Sequence, residues 1–467
     1  MASHDSSRPN VVFILTDDQG AWALGCAGNT EIVTPALDRA AQEGVRFDSF
    51  FATTPVCSPA RASLLTGEIP SQHGVHDWIA GGHTGPDAVD YLAGHTMITD
   101  LLAERGYRLG LAGKWHLGAS DQPRPGFVHW YAHESGSGMY YNAPMVRDTT
   151  PVTEPEYLTY ALTNDALQFL DAEAERDEPF WLSVNYTAPH QPWAGNHPDE
   201  LTSLYADCPF DSCPQQPHHP HQRWVEGHPI GREPDLRESL VGYYASVTGV
   251  DRGVAQIRER LEELGLAENT LFVFTSDNGM NCGHHGIWGK GNGTMPFNMY
   301  DTAVKVPAIF VHPGRIPADR LCTDLISGYD MLPTLVDYLG LDVELPDRLP
   351  GHSFAPLLEG HEDPTPRDHI VVYGEYGATR MIRTHEWKYI HRATYARPEL
   401  YHLSEDPDEN HDLHEAPEYE SVRQQMRADL DDWFEAHVNP ALDGTHQPVI
   451  GTGQYERITH EPPTRWG

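Results

Sequence analysis

The sequence predicts an α/β protein with a large, mostly parallel central sheet flanked by helices, followed by a small α+β subdomain with an antiparallel sheet. Two observations support this fold class. Short β-branched and apolar runs alternate with longer helical segments, as in chains that build parallel sheets. Several of these runs also end in polar residues, and ligands of open α/β sheets bind beyond the carboxyl ends of the strands.

The elements of the large part can be predicted in chain order from these runs. Asn10 opens a continuous apolar run that is typical of a buried parallel strand. Thr34 and Pro35 suit the start of the first helix. The predicted strands are 10–15, 45–51, 107–112, 180–186, 271–275 and 307–311, and the predicted helices are 34–43, 97–105, 157–175, 237–264 and 331–339.

A further helix is predicted after Cys57. Ser58 suits its N-cap, Pro59 its first position and Gly67 its end. Cys57 would then lie where free N–H groups and the helix dipole favour an anion. A buried cysteine before an ordinary helix explains the same pattern, so the rest of the chain must decide between the two interpretations.

Two regions depart from this alternation. Residues 206–234 are rich in Pro, His and Gly, which indicates a loop, with a metal site as the alternative. From His369 onwards the pattern becomes one of short strands, at 371–373, 379–383, 387–391 and 400–403, before a helix at 417–437 and an irregular tail. We therefore predict a catalytic domain at 1–368 and a small subdomain at 369–467.

Composition limits the possible partners. The net charge of −37 argues against nucleic acid and disfavours a long polyanion, although a small anion can still bind a locally basic pocket. No apolar run reaches the roughly 18 residues of a membrane span. Because residues 1–9 lack an apolar signal region, we expect a cytoplasmic protein, or a periplasmic or secreted one if an export signal has been trimmed. Among six cysteines, Cys208 and Cys213 suit either a disulfide or free thiols.

Oxygen ligands follow two of the predicted strands. Asp17 and Asp18 come after the first, and Asp277 and Asn278 after the fifth. Such ligands hold hard cations such as Ca²⁺ or Mg²⁺, so we predict a divalent cation of this kind. The thiol of Cys57 suits this cation poorly, which indicates that position 57 carries an oxygen-bearing derivative.

Basic side chains belong to the same predicted site. Lysine is rare in this chain, yet Lys114 and Lys290 stand in glycine-flanked motifs, and Arg61 follows Cys57 by four residues. A divalent cation and three basic groups would bind a tetrahedral oxyanion. His116 and His190 can supply a general base and a general acid. The residues alone thus predict transfer or hydrolysis of a sulfuryl or phosphoryl group.

At this point the chain resembles a known family. Cys57-Ser58-Pro59-Ala60-Arg61, followed by Leu64-Leu65-Thr66-Gly67, resembles the signature of type I sulfatases of the alkaline phosphatase superfamily, in which the cysteine is oxidised to formylglycine. Other motifs match in order along nearly the whole chain: Asp17-Asp18, Gly113-Lys114-Trp115-His116-Leu117-Gly118, Pro189-His190, Asp277-Asn278-Gly279, Gly289-Lys290-Gly291, Met381-Ile382-Arg383-Thr384, Trp387-Lys388-Tyr389-Ile390 and Glu399-Leu400-Tyr401.

The resemblance implies a role for each site residue. Formylglycine at position 57, made by a formylglycine-generating maturation enzyme, would be hydrated and attack sulfur, and the second hydroxyl would then release sulfate. The implied metal is Ca²⁺, with Mg²⁺ as the alternative, and its implied ligands are Asp17, Asp18, Asp277, Asn278 and residue 57. Among the catalytic groups, Arg61 would stabilise the nucleophile, Lys114 and Lys290 would bind sulfate, His116 would be the base, and His190 would protonate the leaving oxygen.

Two features are less well defined by the resemblance. The stretch 299–307 lacks the glycines and arginine that the family often has there, and the family's polar residue near the sulfate has three candidates, Ser135, Ser137 and Asn142. A small sulfated saccharide is the expected substrate, cleaved by an exo-acting carbohydrate sulfatase. The candidate sugar contacts are His76, Trp78, His133, Trp193 and His352.

Three alternatives stay open. A phosphonate monoester hydrolase or phosphodiesterase of the same superfamily would use the same modified cysteine, and an arylsulfatase of broad specificity would use the same site. A non-catalytic, metal-dependent binding protein would keep Cys57 unmodified, but it would not need the two histidines.

Overall fold

The computed structural model describes residues 8–374, 379–392, 396–446 and 451–458. The strands of the large part are β1 (Asn10–Asp17), β2 (Val45–Phe47), β3 (Phe50–Phe51), β4 (Arg108–Lys114), β5 (Phe127–His133), β6 (Ala143–Arg147), β7 (Thr150–Glu154), β8 (Phe180–Pro189), β9 (Trp224–Val225), β10 (His228–Pro229), β11 (Thr270–Ser276), β12 (Asn281–Cys282), β13 (Trp288–Gly289), β14 (Ala308–Val311), β15 (Arg320–Cys322) and β16 (Ile326–Ser327). The small part adds β17 (Ile370–Gly374), β18 (Thr379–Arg383), β19 (Trp387–Arg392) and β20 (Glu399–His402).

The helices lie between these strands. They are α1 (Pro35–Glu43), α2 (Cys57–Thr66), α3 (Pro70–His73), α4 (Ile98–Glu104), α5 (Leu158–Glu173), α6 (Asp199–Thr202), α7 (Leu236–Glu263), α8 (Asp301–Val304), α9 (Met331–Tyr338), α10 (Ala355–Leu358) and α11 (Glu420–His437).

The predicted α/β architecture is confirmed. Ten strands form the main sheet in the order β15-β2-β14-β11-β1-β8-β4-β5-β6-β7. Its centre, β11-β1-β8-β4-β5, is parallel throughout. Antiparallel pairs flank this centre, since β14 runs against β11, and β6 runs against both β5 and β7.

Both faces of the sheet are buried, as the continuous apolar run of β1 predicts. Val12 and Ile14 point to the core beneath α1, α5 and α7. Val11, Phe13 and Leu15 alternate with them and pack towards α4 and α9. This alternation follows from the two-residue period of a strand.

The central strand order positions the site. β11, β1, β8 and β4 are consecutive neighbours and run in the same direction, so their carboxyl ends meet at one edge of the sheet. Asp277, Asp17, His190 and Lys114 stand at these ends or directly after them. Sequence reasoning predicted this meeting point, and the register of the parallel pairs produces it.

Some element predictions are wrong in detail. The single strand expected at 45–51 is interrupted at Asp48 and Ser49, so that β2 joins the main sheet and β3 pairs with β16 instead. Strands β5 to β7 were not predicted. β6 and β7 lie at one end of the sheet, and all five residues of β7 are exposed or half-buried, so β7 lacks the apolar run of a central strand.

The C-terminal part contains the four antiparallel strands β17 to β20 and α11. Lys388 of β19 is completely buried and bonds to Asp301 (Nζ–Oδ1, 2.6 Å) and Glu409. Asp301 also pairs with Arg383 (Oδ2–Nη2, 3.2 Å). These contacts join the small sheet to α8 of the large part, while the boundary at 368/369 stays a prediction.

The chain then returns to the large part. Gln454 donates its backbone N–H to the carbonyl of Trp78 (2.8 Å), and its Oε1 accepts from the N–H of His76 (2.9 Å). The irregular tail therefore packs beside the segment that follows α3.

The structure also bears on two expectations about the whole chain, the state of its cysteines and the lack of a membrane span. None of the six cysteines forms a disulfide, so Cys208 and Cys213 are not joined. Within the described ranges, none of the helices combines the length and the apolar character that crossing a membrane requires. Residues 1–7, which bear on the expected absence of an export signal, lie outside the described residues.

Candidate active site

Cys57 is the first residue of α2, so the helix begins two residues before Pro59, the first position that the sequence predicts. Val56, with extended backbone, is the N-cap, so the prediction of Ser58 as N-cap is wrong. The hydroxyl of Ser58 instead accepts a hydrogen bond from the N–H of Ile79 (3.1 Å). Gly67 ends the helix in the left-handed conformation (φ 66°), as predicted.

Three carboxylates and one amide converge beside Cys57. Asn278 Nδ2 donates to Asp18 Oδ1 (2.6 Å) and to Asp277 Oδ1 (2.9 Å). Ligand atoms of Asp17, Cys57 and Asp277 all lie within 4.8 Å of one another. The structure therefore brings together all five residues that the sequence proposes as metal ligands.

Three basic side chains compensate these carboxylates. Arg61 donates from Nε to Asp277 Oδ2 (2.7 Å), and Lys114 pairs with Asp17. Lys290 Nζ lies 2.5 Å from Asp18 Oδ1 and 3.4 Å from Cys57 Sγ. Formally, three negative and three positive charges balance in a buried cluster.

Burial dominates the protonation of this cluster. It raises the pKa of Asp18 to about 7 and that of Asp277 to about 6. Burial also opposes ionisation of Asp17, but the charges of Lys114 and Lys290 outweigh it and hold the pKa of Asp17 well below its usual range. At Asp18 and Asp277 burial therefore outweighs the neighbouring basic groups, and additional positive charge would favour the ionised carboxylates.

The donor set fits a hard divalent cation. In the part of the chain that the structure describes, Asp17 Oδ1 and Asn278 Oδ1 are buried and accept no hydrogen bond. Buried oxygens without partners are costly, and a coordinated cation would satisfy both. Carboxylate and amide oxygens are the ligands of Ca²⁺ and Mg²⁺.

The two histidines flank this cluster differently. His190 donates from Nδ1 to the carbonyl of Gln191 (2.6 Å), which leaves Nε2 facing Asp18 Oδ2 at 3.6 Å. His116 donates from Nε2 to the carbonyl of Ile79 (3.1 Å). Burial lowers the pKa of His190 to about 4 and that of His116 well below its ordinary value.

A cavity of about 490 Å³ opens above these groups. Cys57, Lys114, His116, His190 and Lys290 all line it, as does Asp18. We call this cavity the cleft. Its volume is in the range of sites for small molecules.

Two of the predicted sugar contacts line the cleft. Trp78 is 36% exposed, whereas Trp193 is buried and donates from Nε1 to the carbonyl of Pro189 (2.7 Å). The three histidines are placed elsewhere. His76 bonds to the carbonyl of Leu442, His133 is buried beside the backbone of Ser135, and His352 lies between Asp363 and Arg367.

The cleft also contains two of the three candidates for the polar residue near the sulfate, and one arginine that sequence reasoning missed. Ser135 and Ser137 line it but Asn142 does not, and Gly136 between the two serines packs against His116. From the loop at 206–234, Arg223 reaches the cleft. A pattern rich in Pro and His predicts only a loop, and nothing in it singles out this arginine.

The fold and the site together define a class. A parallel α/β sheet carries, at one edge, an oxygen-rich cation site, a cluster of basic groups and two histidines around a helix-terminal cysteine. Such an arrangement is suited to hydrolysing the ester of a tetrahedral oxyanion.

Comparison with known proteins gives the family. The profile described as Sulfatase matches residues 9–341, and one described as N-sulphoglucosamine sulphohydrolase, C-terminal, matches residues 283–436. The chain belongs to the sulfatase family, and it is a sulfuric ester hydrolase.

Individual relatives are similar over most of their length. The chain is 27% identical to an N-acetylglucosamine-6-O-sulfatase of Bacteroides thetaiotaomicron, covering 90% of this chain and 85% of that protein. It is 30% identical to an ulvan-active sulfatase of Formosa agariphila, covering 91% and 81%. A solved structure in complex with its substrate D-glucosamine-2-N,6-O-disulfate shares the fold, with a TM-score of 0.77 at 24% identity over 93% of this chain and 99% of that one.

Proposed function

We propose that this sulfatase removes sulfate from a small carbohydrate, with Ca²⁺ bound at the strand ends and residue 57 converted to formylglycine. The observation that carries the proposal is the contact of Cys57 with Lys290, beside the unpartnered oxygens of Asp17 and Asn278. The relatives named for N-acetylglucosamine-6-O-sulfate and ulvan support a saccharide as the substrate.

Asp17, Asp18, Asp277 and Asn278 would hold the cation, together with residue 57. The bound cation would supply positive charge that favours the anionic ester and lowers the pKa of a coordinated hydroxyl. Formylglycine would supply the hydroxyl nucleophile that a thiol does not.

The charges of the cluster explain how Lys114 and Lys290 would become available to bind sulfate. In the structure, Lys114 and Lys290 are paired with Asp17 and Asp18. A divalent ion would take over these carboxylates and change the formal charge of the cluster from zero to +2. The two ammonium groups could then turn towards the ester oxygens, while Arg61 stays bound to Asp277 and to the carbonyl of Lys114 (2.9 Å).

His190 is suited to protonate the leaving oxygen. Its Nδ1 is held by the carbonyl of Gln191, so Nε2 is the nitrogen that exchanges a proton in the cleft. Burial lowers its pKa in the described state, but a sulfate ester beside the ring would raise it, since negative charge favours the imidazolium. His116 would accept the proton that must leave residue 57 for sulfate to depart.

Mass spectrometry and turnover together test the proposal. Conversion of Cys57 to formylglycine lowers the mass of its tryptic peptide by about 18 Da. We expect the converted protein to release sulfate from a hexosamine 6-sulfate in the presence of Ca²⁺, and Cys57→Ala to release none. Cys322→Ala removes a buried thiol outside the cleft and serves as the matched control.

Two outcomes would contradict the proposal. Turnover by protein whose Cys57 remains a thiol would exclude the modified nucleophile. Faster hydrolysis of an aryl phosphonate than of every sulfate ester would instead favour the phosphonate hydrolase.

A further inference from the structure

The cleft carries a cationic group that the sulfate site does not use. Arg223 lines it from the loop at 206–234, whereas Lys114 and Lys290 belong to the charged cluster around Cys57. The exposed ring of Trp78 lines the same cleft. A substrate whose sulfate lies at Cys57 therefore shares its cleft with an aromatic ring and a guanidinium.

The position of Arg223 is tied to the segment that carries Lys290. The N–H of Arg223 donates to the carbonyl of Gly293 (2.9 Å), and its Nη1 donates to the carbonyl of Asn292 (3.2 Å). The side chain of the preceding Gln222 is buried and bonds to both the N–H (2.8 Å) and the carbonyl (3.3 Å) of Trp288. The loop is thus anchored on both sides of Lys290, which holds Arg223 at the cleft.

Arg223 also lacks an acidic partner. In the described part of the chain, no carboxylate oxygen lies within 4.0 Å of its guanidinium. Among the described residues that line the cleft, Asp18 is the one carboxylate, and Lys290 already pairs with it. Acidic residues outnumber basic ones by 68 to 31 in this chain, so its composition does not explain the lack of an acid beside Arg223.

We propose that Arg223 binds a second anionic group of the substrate, a carboxylate or a second sulfate on the same small saccharide. This inference rests on the proposed function, and it narrows the substrate class to doubly anionic sugars. The planar guanidinium fork matches the oxygens of a carboxylate or sulfate, and its charge is not otherwise neutralised in the cleft. Arg223 is then a specificity-determining residue, while the chemistry stays with the cluster around Cys57.

The test compares three substrates across matched variants. The substrates are a singly sulfated hexosamine, a disulfated hexosamine and a singly sulfated disaccharide that contains a uronic acid. The proteins are the converted wild type, Arg223→Gln, Arg223→Lys and Arg232→Gln. Arg232 belongs to the same loop but contacts the ring of Trp288 (5.8 Å) and does not line the cleft, so it controls for damage to the loop.

We expect the wild type to favour at least one doubly anionic substrate over the singly sulfated sugar. In Arg223→Gln the ratio of their kcat/KM values should fall about 10- to 100-fold, mainly through KM, because a charge-assisted hydrogen bond is lost. Arg223→Lys should keep part of the preference, and Arg232→Gln should keep the wild-type ratio. The favoured substrate shows whether the second group is a sulfate or a carboxylate.

The possible failures are distinguishable. An unchanged ratio in Arg223→Gln, or an equal loss in Arg232→Gln, would overturn the role of Arg223 while leaving the carbohydrate sulfatase intact. A wild-type preference for the singly sulfated sugar would also overturn the role of Arg223 and leave the carbohydrate sulfatase intact. Release of sulfate from none of the three sugars by converted protein would instead reject the proposed function itself.

Discussion

Gly136 packs against the imidazole ring of His116. A methyl group on Gly136 would lie 2.1 Å from Nε2 and 2.2 Å from Cε1 of that ring, far inside van der Waals contact. The histidine cannot easily retreat, because it is buried and its Nε2 is held by the carbonyl of Ile79. The absence of a side chain at position 136 is therefore part of how His116 is positioned.

This contact predicts that Gly136→Ala impairs turnover by displacing the proposed base. We expect kcat for a sugar sulfate to fall about 10- to 100-fold, since small displacements of catalytic groups have effects of this size. Gly138→Ala is the matched control, because its added methyl group would lie 3.2 Å from Nε2 of His133, outside the cleft. Equal activity of the two variants in steady-state assays would show that the position of His116 does not matter.

The unpartnered oxygens at the strand ends predict that Ca²⁺ stabilises the folded protein. An ion that binds the folded state adds about 2.7 kcal/mol at a hundredfold excess over its Kd. The midpoint temperature of thermal unfolding should therefore rise when Ca²⁺ is added and fall back when a chelator removes it. This should hold whether or not residue 57 is converted. Asp17→Asn should abolish the shift, whereas Asp165→Asn, which removes a buried acid paired with His129 and Arg147, should retain it. A shift that persists in Asp17→Asn would place the ion elsewhere.

The strands that deliver the site could be predicted from the sequence because their pattern is local. β1 and β11 are continuous apolar runs, and a run buried on both faces that ends in aspartate admits few other interpretations. For residues outside these runs, such as Lys290, the residue chemistry and the family motifs predicted a place in the site, and their catalytic roles stay predictions.

What could not be predicted depends on contacts between distant segments. Ser58 has the chemistry of an N-cap, but its hydroxyl bonds to Ile79, and the helix begins at Cys57, two residues before the predicted first position at Pro59. His76 and His352 resemble sugar contacts by their position in the chain, yet each is bonded within a packed interface. Arg223 reaches the cleft through pairing of its loop with residues near 290, which sequence spacing does not reveal.

The buried ion cluster at the small sheet predicts a pH-dependent stability. Burial opposes ionisation of Asp301, but Arg383 and Lys388 outweigh it and lower the pKa of this carboxyl. A carboxyl with a lowered pKa stabilises the fold above its unfolded value of about 3.8, and this contribution is lost as the pH falls further. Asp301→Asn should therefore cost about 3 kcal/mol at pH 7, and the difference from wild type should shrink below pH of about 4.

Chemical denaturation at several pH values measures this difference. Asp48→Asn is the control, because Asp48 pairs with Lys305 (3.2 Å) but its side chain is 44% exposed. Exposed ion pairs contribute up to about 1 kcal/mol, so the control should lose much less stability. Similar losses in both variants would mean that burial of the cluster around Lys388 has no special effect.

The proposed acid His190 predicts a dependence on the leaving group. A sugar alkoxide must be protonated as it departs, whereas a nitrophenolate is stable without a proton. His190→Gln should therefore lower kcat/KM about 100- to 10,000-fold for a sugar sulfate, but much less for nitrophenyl sulfate. His352→Gln, which changes a histidine outside the cleft, should preserve both activities. Parallel assays of the two esters decide the matter, since an equal loss on both would assign His190 to binding or to the cation site rather than to proton transfer.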